Sequence, residues 1–278
     1  MKINQLYLTL IIAIMLTACG GSTNQQAATE EVVEEETGLG EEVSYTTETT
    51  KMNGYIAYDR NRSGKKPGIL VIHEWWGHNK YVRSRADQLA ELGYVALAVD
   101  MYGDGQTADH PDDAGKFAGQ VFSNIEEAKA RFNSALELLR SHPEVDPESL
   151  GAIGYCFGGT VALNMANSGS DLKAIAVFHA GLNFPIQPGE EGIKPEILVC
   201  NGAADPFISA EQIEAFKSMM DAAGARYTFI NYDGAVHGFT NPDADAFGKK
   251  FSLPLAYQAE ADEASWKEMR KLFTRAFN

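Results

Sequence analysis

A doubly wound α/β domain with a mostly parallel sheet is the fold that this sequence predicts, and three observations predict it. Short, continuously apolar runs such as Gly68–Ile72 and Tyr94–Val99 read as strands buried on both faces. They alternate with longer segments whose apolar residues recur at helical spacing, as in Tyr81–Leu92. The pentapeptide Gly154-Tyr-Cys-Phe-Gly158 stands where one such strand gives way to a helix, the place of a nucleophile on a sharp turn.

The elements follow in chain order. Residues 1–18 carry one early cation, Lys2, and then an apolar stretch from Leu6 to Leu16, shorter than a membrane-spanning helix needs. They read as a secretory signal peptide. The junction Leu16-Thr-Ala-Cys19 resembles a bacterial lipobox, so Cys19 is the expected lipidation site. That implies a protein held in the bacterial cell envelope by a lipid anchor. Residues 19–42 are rich in Ser, Thr, Gln and Glu and too poor in large apolar residues to offset their ordering entropy; they are expected to form an acidic tether.

The folded domain, residues 43–278, is expected to open with an antiparallel hairpin, Val43–Thr50 and Gly54–Tyr58, turning at Asn53-Gly54. The strand Gly68–Ile72, the helix Tyr81–Leu92 stopped by Gly93, and the strand Tyr94–Val99 come next. Asp112–Leu139 reads as largely helical, and Ser149–Ile153 as the strand that feeds the pentapeptide, with Thr160–Asn167 as the helix behind it. Leu172–Phe178, Glu196–Cys200 and Arg226–Tyr232 supply three more strands; Ala210–Ala223 and Tyr257–Phe273 are helical. No internal repeat and no second domain boundary appear.

Composition narrows the function. The chain has 278 residues, 45% hydrophobic and 22% charged, ordinary values for a globular protein with a substantial core. A formal charge of −15 argues against a nucleic-acid partner, which requires a cationic footprint. The 3 cysteines, Cys19, Cys156 and Cys200, are too few and too scattered for a disulfide framework or a zinc site. His73-Glu74 does not extend to the H-E-x-x-H pattern of a zinc protease, because position 77 is glycine, so no metal and no cofactor is expected. Cys200, inside an apolar strand, reads as a core thiol.

Open parallel sheets place their sites at the carboxyl ends of the strands. Cys156 follows one strand, Asp205 lies a few residues past the strand ending at Cys200, and His237 sits in the glycine-flanked loop after Tyr232. Nucleophile, acid, histidine is the chain order of the α/β-hydrolase fold. The chemistry requires these types: a thiol is only partly ionised at neutral pH, an imidazole can accept its proton, and a carboxylate fixes the imidazole tautomer. The oxyanion-hole donors expected in this fold are the backbone N–H of Phe157 and one from the loop after the early strand, assigned to Trp75. Glu74, beside it, is within reach of the thiol. Trp76, Tyr102 and Phe239 lie near site junctions and are expected to line an apolar substrate pocket.

With these residues in view, the chain from about Lys51 onward resembles the dienelactone hydrolase family. The resemblance is carried by Glu74-Trp-Trp-Gly77, Ala86–Ala90 with Gly93-Tyr94, Asp100-Met-Tyr102, Gly154–Gly159, Gly202–Asp205 and His237-Gly-Phe239. It implies a Cys156–Asp205–His237 triad that hydrolyses carboxylic esters or lactones through an acyl-enzyme, without a cofactor, and a thiol-activating role for Glu74. Two departures matter. Where the family's dienelactone-cleaving members have arginines for the substrate carboxylate, this chain has Asp104 and Thr240-Asn241. A carboxylate and an amide do not hold an anion, so the expected substrate is a small molecule different from dienelactone. The competing expectation is a non-catalytic ligand-binding envelope lipoprotein on a hydrolase fold.

Overall fold

A computed structural model of the chain describes residues 39–190 and 192–278. The signal peptide, Cys19 and most of the tether lie outside the described residues. The described residues form one sheet of eight strands: β1 (Gly40–Thr46), β2 (Lys51–Ala57), β3 (Lys66–Ile72), β4 (Val95–Val99), β5 (Val145–Tyr155), β6 (Ala174–Phe178), β7 (Glu196–Gly202) and β8 (Tyr227–Tyr232). Their spatial order is β1-β2-β4-β3-β5-β6-β7-β8. The β1/β2 and β2/β4 pairs are antiparallel, and every pair from β4/β3 to β7/β8 is parallel. This is the α/β-hydrolase fold with the antiparallel edge that the hairpin predicted.

Strand alternation sorts the core into two layers. Leu70, Ile72, Leu97 and Val99 point to one face, beneath Phe132, Leu136 and Val161. Ile69, Val71, Ala96 and Ala98 point to the other, beneath Val82, Leu89, Met269 and Phe273. Helices α1 (Lys80–Glu91) and α7 (Ala259–Phe277) therefore cover one side, and α3 (Ile125–Arg140), α4 (Phe157–Asn167) and α5 (Ala210–Ala222) the other. Cys200 is fully buried in the second layer; burial pushes its thiol up to about 12, as befits an inert core residue.

The structure corrects several boundaries. The hairpin turns at Thr47–Thr50, and Asn53-Gly54 lies inside β2, paired with Ser44 and Val43. Gly54 is needed there for space: a Cβ would sit 3.0 Å from the Ala98 carbonyl oxygen and 3.1 Å from the Tyr45 ring. β1 begins three residues before the expected domain start at Val43, since Gly40, Glu41 and Glu42 pair with Ala57, Ile56 and Tyr55. The helical segment Asp112–Leu139 is two helices, α2 (Pro111–Ser123) and α3, broken at Asn124, whose side chain accepts from Glu127 N and caps α3. A further helix, α6 (Ala244–Phe251), was not foreseen.

Candidate active site

Cys156 sits between β5 and α4 with φ 51° and ψ −116°, a conformation that costs a side-chain-bearing residue about 1–3 kcal/mol. Its own backbone holds it there: Cys156 N donates to Phe178 O at 3.0 Å, and Cys156 O accepts from Thr160 N at 3.2 Å. The flanking glycines have steric causes. A Cβ on Gly154 would lie 2.3 Å from Gly158 O, and one on Gly158 would lie 2.4 Å from Ile72 O. Helix α4 can pack this tightly over β3 and β5 only with glycine at both positions.

Asp205, in the turn after β7, is buried and accepts Phe207 N on Oδ1 at 2.9 Å. Its Oδ2 lies 2.7 Å from His237 Nδ1. Burial alone pulls the His237 imidazole towards its neutral form, but the Cys156 thiol and the Asp205 carboxylate on its two sides outweigh this and raise its pKa to about 10. Cys156, Asp205 and His237, each after a different strand, are thus brought together as expected. Cys156 and His237 open on a cavity of about 310 Å³. Phe157, as the first residue of α4, has an N–H that the helix leaves without an acceptor. Trp75 N–H likewise has no acceptor among the described residues. Both residues line the same cavity.

The loop carrying Trp75 is fixed from behind. His73, fully buried, has Nδ1 against Glu74 O at 2.5 Å and accepts Met101 N on Nε2 at 3.2 Å, which assigns its proton to Nδ1. Tyr102 OH donates to Trp75 O at 2.8 Å.

Three expected pocket residues fall elsewhere. Trp76 meets Trp75 edge-on at 5.1 Å but lies outside the cavity, stacking on Phe247 and Phe251 of α6 with ring centroids 4.5 and 6.0 Å apart. Tyr102 packs behind Phe157 and His73, so it supports the cavity wall without lining it. Phe239 is fully buried against His179 and Tyr232. The apolar lining comes instead from Phe122, Leu182, Phe207, Ile208, Leu253 and Leu255 with Trp75 and Phe157. Leu182, Leu253 and Leu255 lie in irregular segments where no periodicity marks them. Phe207 carried a signal, because the residue two past a triad acid shares its turn; it is 49% exposed at the cavity and edge-on to the His237 ring at 5.1 Å.

Glu74 has its own partner. Its Oε2 accepts from Asn241 Nδ2 at 2.6 Å, and no hydrogen bond joins it to Cys156 among the described residues. Asn241 Oδ1 is taken by Asp243 N at 2.9 Å, which fixes the amide with its nitrogen towards the acid. Burial raises the Glu74 pKa to about 7, against the opposing pull of the Asn241 hydrogen bond and the nearby His237 and Arg85. Asp104 faces a separate polar cavity behind Tyr102. Among the described residues no lysine or arginine lines the Cys156 cavity. Among the described residues no cluster of three His, Cys, Asp or Glu side chains could hold a metal ion.

Comparison with known proteins agrees with this geometry. The model of the dienelactone hydrolase family matches residues 52–277. The chain belongs to the dienelactone hydrolase family. Among its relatives, a putative carboxymethylenebutenolidase of Aquifex aeolicus is 30% identical over 207 residues, 73% of this chain and 88% of that protein. A solved structure described as m3DLH is 40% identical, with a TM-score of 0.81, and is matched over 86% of this chain and 98% of that one. The dienelactone hydrolase-like promiscuous phosphotriesterase P91, from metagenomic libraries, is 35% identical at the same TM-score and coverage. The protein is therefore a dienelactone hydrolase-like hydrolase of the carboxylic-ester class.

Proposed function

We propose that this dienelactone hydrolase-family protein cleaves uncharged carboxylic esters or lactones with Cys156 as nucleophile. The observation that carries the reading is His237, hydrogen-bonded to buried Asp205 at 2.7 Å and facing Cys156 at an apolar cavity without a lysine or arginine. In this reading the Cys156 thiolate, paired with imidazolium on His237, attacks the carbonyl carbon. The oxyanion is taken by the N–H groups of Phe157 and Trp75. Collapse breaks the C–O bond, and the leaving alcohol takes the proton from His237. Water then gives a proton to His237 and attacks the thioester, and collapse breaks the C–S bond, releasing the carboxylic acid and restoring the Cys156 thiolate beside the His237 imidazolium. Asp205 holds the imidazole with its proton on Nδ1 throughout.

Substrate class follows from the lining. An anionic ester would enter a cavity with apolar walls whose one cation, the His237 imidazolium, is already paired with the Cys156 thiolate, and its desolvation would go largely uncompensated. Asp104 and Asn241, at the positions where the family's dienelactone-cleaving members have arginines, do not line this cavity; Asp104 faces a separate one and Asn241 is bonded to Glu74. The lipobox-like Leu16–Cys19 supports a proposal that the mature protein is anchored in the cell envelope through Cys19, where it would meet exogenous esters.

The test is a panel of uncharged aryl and alkyl esters, lactones and an uncharged phosphotriester, each with a carboxylate-bearing analogue, run with wild type and Cys156→Ala. The expected result is turnover of the uncharged carboxylic esters, at least about tenfold lower kcat/KM for the anionic analogues, and loss of turnover in Cys156→Ala. Undiminished turnover in Cys156→Ala would remove the thiol from the mechanism.

A further inference from the structure

The loop that carries His237 is tied down at two consecutive residues further along, and the first tie leads to a buried polar chain that the triad chemistry leaves unused. Arg85 of α1 is almost completely buried. Its Nη2 donates to Thr240 O at 2.6 Å and to Asp262 Oδ1 of α7 at 2.7 Å, and its Nε donates to Tyr81 OH at 3.3 Å. Tyr81 OH and Thr240 Oγ1 are 2.7 Å apart, and Thr240 Oγ1 is 2.8 Å from His179 Nε2. His179, fully buried at the end of β6 with φ 40°, packs its ring against His237 at 5.1 Å and an interplanar angle of 65°.

Proton direction along this chain is decided at its charged end. A guanidinium is always a donor, so the Tyr81 oxygen accepts from Arg85. The Tyr81 hydrogen is then free for Thr240, and the Thr240 hydrogen for His179 Nε2. In that order His179 is a neutral ring whose Nδ1 carries the proton without a hydrogen-bond partner among the described residues, and burial pushes its pKa well below the usual histidine value, with the positive His237 and Arg85 nearby. His237 in turn sits between two rings, His179 and Phe207, each at 5.1 Å and steeply inclined to it, while Asp205 holds its Nδ1. Tilting the imidazole away from Cys156 means displacing His179, which packs on Phe239 and Tyr155 and whose hydrogen bonds among the described residues are those to Thr240 and from its own backbone N–H to Cys200 O at 2.8 Å.

We propose that the buried Arg85–Tyr81–Thr240–His179 chain is a positioning device for His237, with the Thr240 hydroxyl as its decisive group. The hydroxyl links the one side-chain hydrogen bond that His179 makes among the described residues to a permanent charge, and it does so three residues from His237. A buried arginine whose strongest contacts are a loop carbonyl and a carboxylate on another helix is a costly arrangement unless that loop needs fixing. The inference rests on the reading of Cys156, His237 and Asp205 as a triad. The groups that bear on the titration of His237 are Cys156 from the elbow, Asp205 after β7, His179 after β6 and Glu74 after β3, and Arg85 of α1 bears in turn on His179 and Glu74.

The test uses the full chain as Thr240→Val, which keeps the shape and removes the hydroxyl, and Thr240→Ser, which restores it. Two readouts are taken: the pH profile of Cys156 alkylation by iodoacetamide, followed by peptide mapping, and kcat and KM for an uncharged aryl ester. In Thr240→Val a loosened imidazole pairs less well with the thiolate. The alkylation profile should move to higher pH, and kcat should fall by about tenfold to a hundredfold with KM changed little, both recovering in Thr240→Ser. Tyr81→Phe, one link further out, should shift both readouts in the same direction and serves if Thr240→Val does not fold. A wild-type profile and kcat in the hydroxyl-free variant, or a fall in melting temperature alone, would overturn the proposal. The triad reading fails separately, if Cys156→Ala still turns over ester or if wild-type alkylation follows an ordinary free-thiol profile.

Discussion

Glu74 is a buried acid whose one hydrogen-bond donor is a neutral amide, and that decides its behaviour with pH. Its pKa is about 7 in the folded protein, against 4.5 when solvated. Between those values the folded state binds more protons than the unfolded one, so stability falls as pH rises through this window. The shift corresponds to ~3 kcal/mol at most, lost once pH exceeds the folded pKa. Glu74→Gln keeps an oxygen for Asn241 and removes the titration. Its melting temperature should therefore gain on wild type steadily from pH 5 to pH 8; equal gains at both ends would mean that Glu74 is already ionised in the acid range. At this scale the sequence was informative about identity and less so about contact. Cys156, Asp205 and His237 were legible because each follows a strand end in the right order. The partner of Glu74 was not, because Asn241 reaches it from a loop 167 residues away.

The turn between β1 and β2 shows how element-scale signals mislead. Asn53-Gly54 is a strong turn dipeptide, yet here glycine serves close packing against β4, and the reversal is made by threonines with help from a distant helix. Glu127 of α3 accepts from Thr47 Oγ1 at 3.0 Å, Thr50 Oγ1 at 2.9 Å and Arg131 Nε at 3.0 Å. Arg131 also donates to Met101 O and Tyr102 O, both at 2.9 Å, which joins the hairpin to the segment behind the active-site loop. Glu127→Ala should lower unfolding stability by about 2 kcal/mol, since several half-buried donors lose their acceptor. Urea unfolding measures it. Ester turnover should be unchanged, because Arg131 keeps both carbonyls; lost turnover at unchanged stability would contradict this account. Helix α6 was missed for a related reason. Its eight residues are too few for a clear period, yet its Phe247 and Phe251 draw Trp76 away from the pocket that sequence proximity had assigned to it.

For the whole molecule, alternating apolar runs and helical segments were enough to predict the sheet and its parallel body, because burial on both faces leaves a pattern that local sequence cannot hide; the antiparallel edge came from the N-terminal hairpin, whose turn was misplaced. The pocket walls were not legible, since Leu182, Leu253 and Leu255 meet Cys156 only through the tertiary fold. What the assembled molecule offers is a thiol on a strained turn, an imidazole fixed on one side by a carboxylate, and an apolar cavity without a lysine or arginine. Its central claim is that ester carbon becomes bonded to Cys156. Rapid acid quench of wild type with an uncharged aryl ester, followed by peptide mass mapping, tests this directly. The account predicts an acyl group on Cys156 that forms before steady state and disappears as substrate is exhausted; sustained turnover with the acyl group on another residue, or on none, would contradict it.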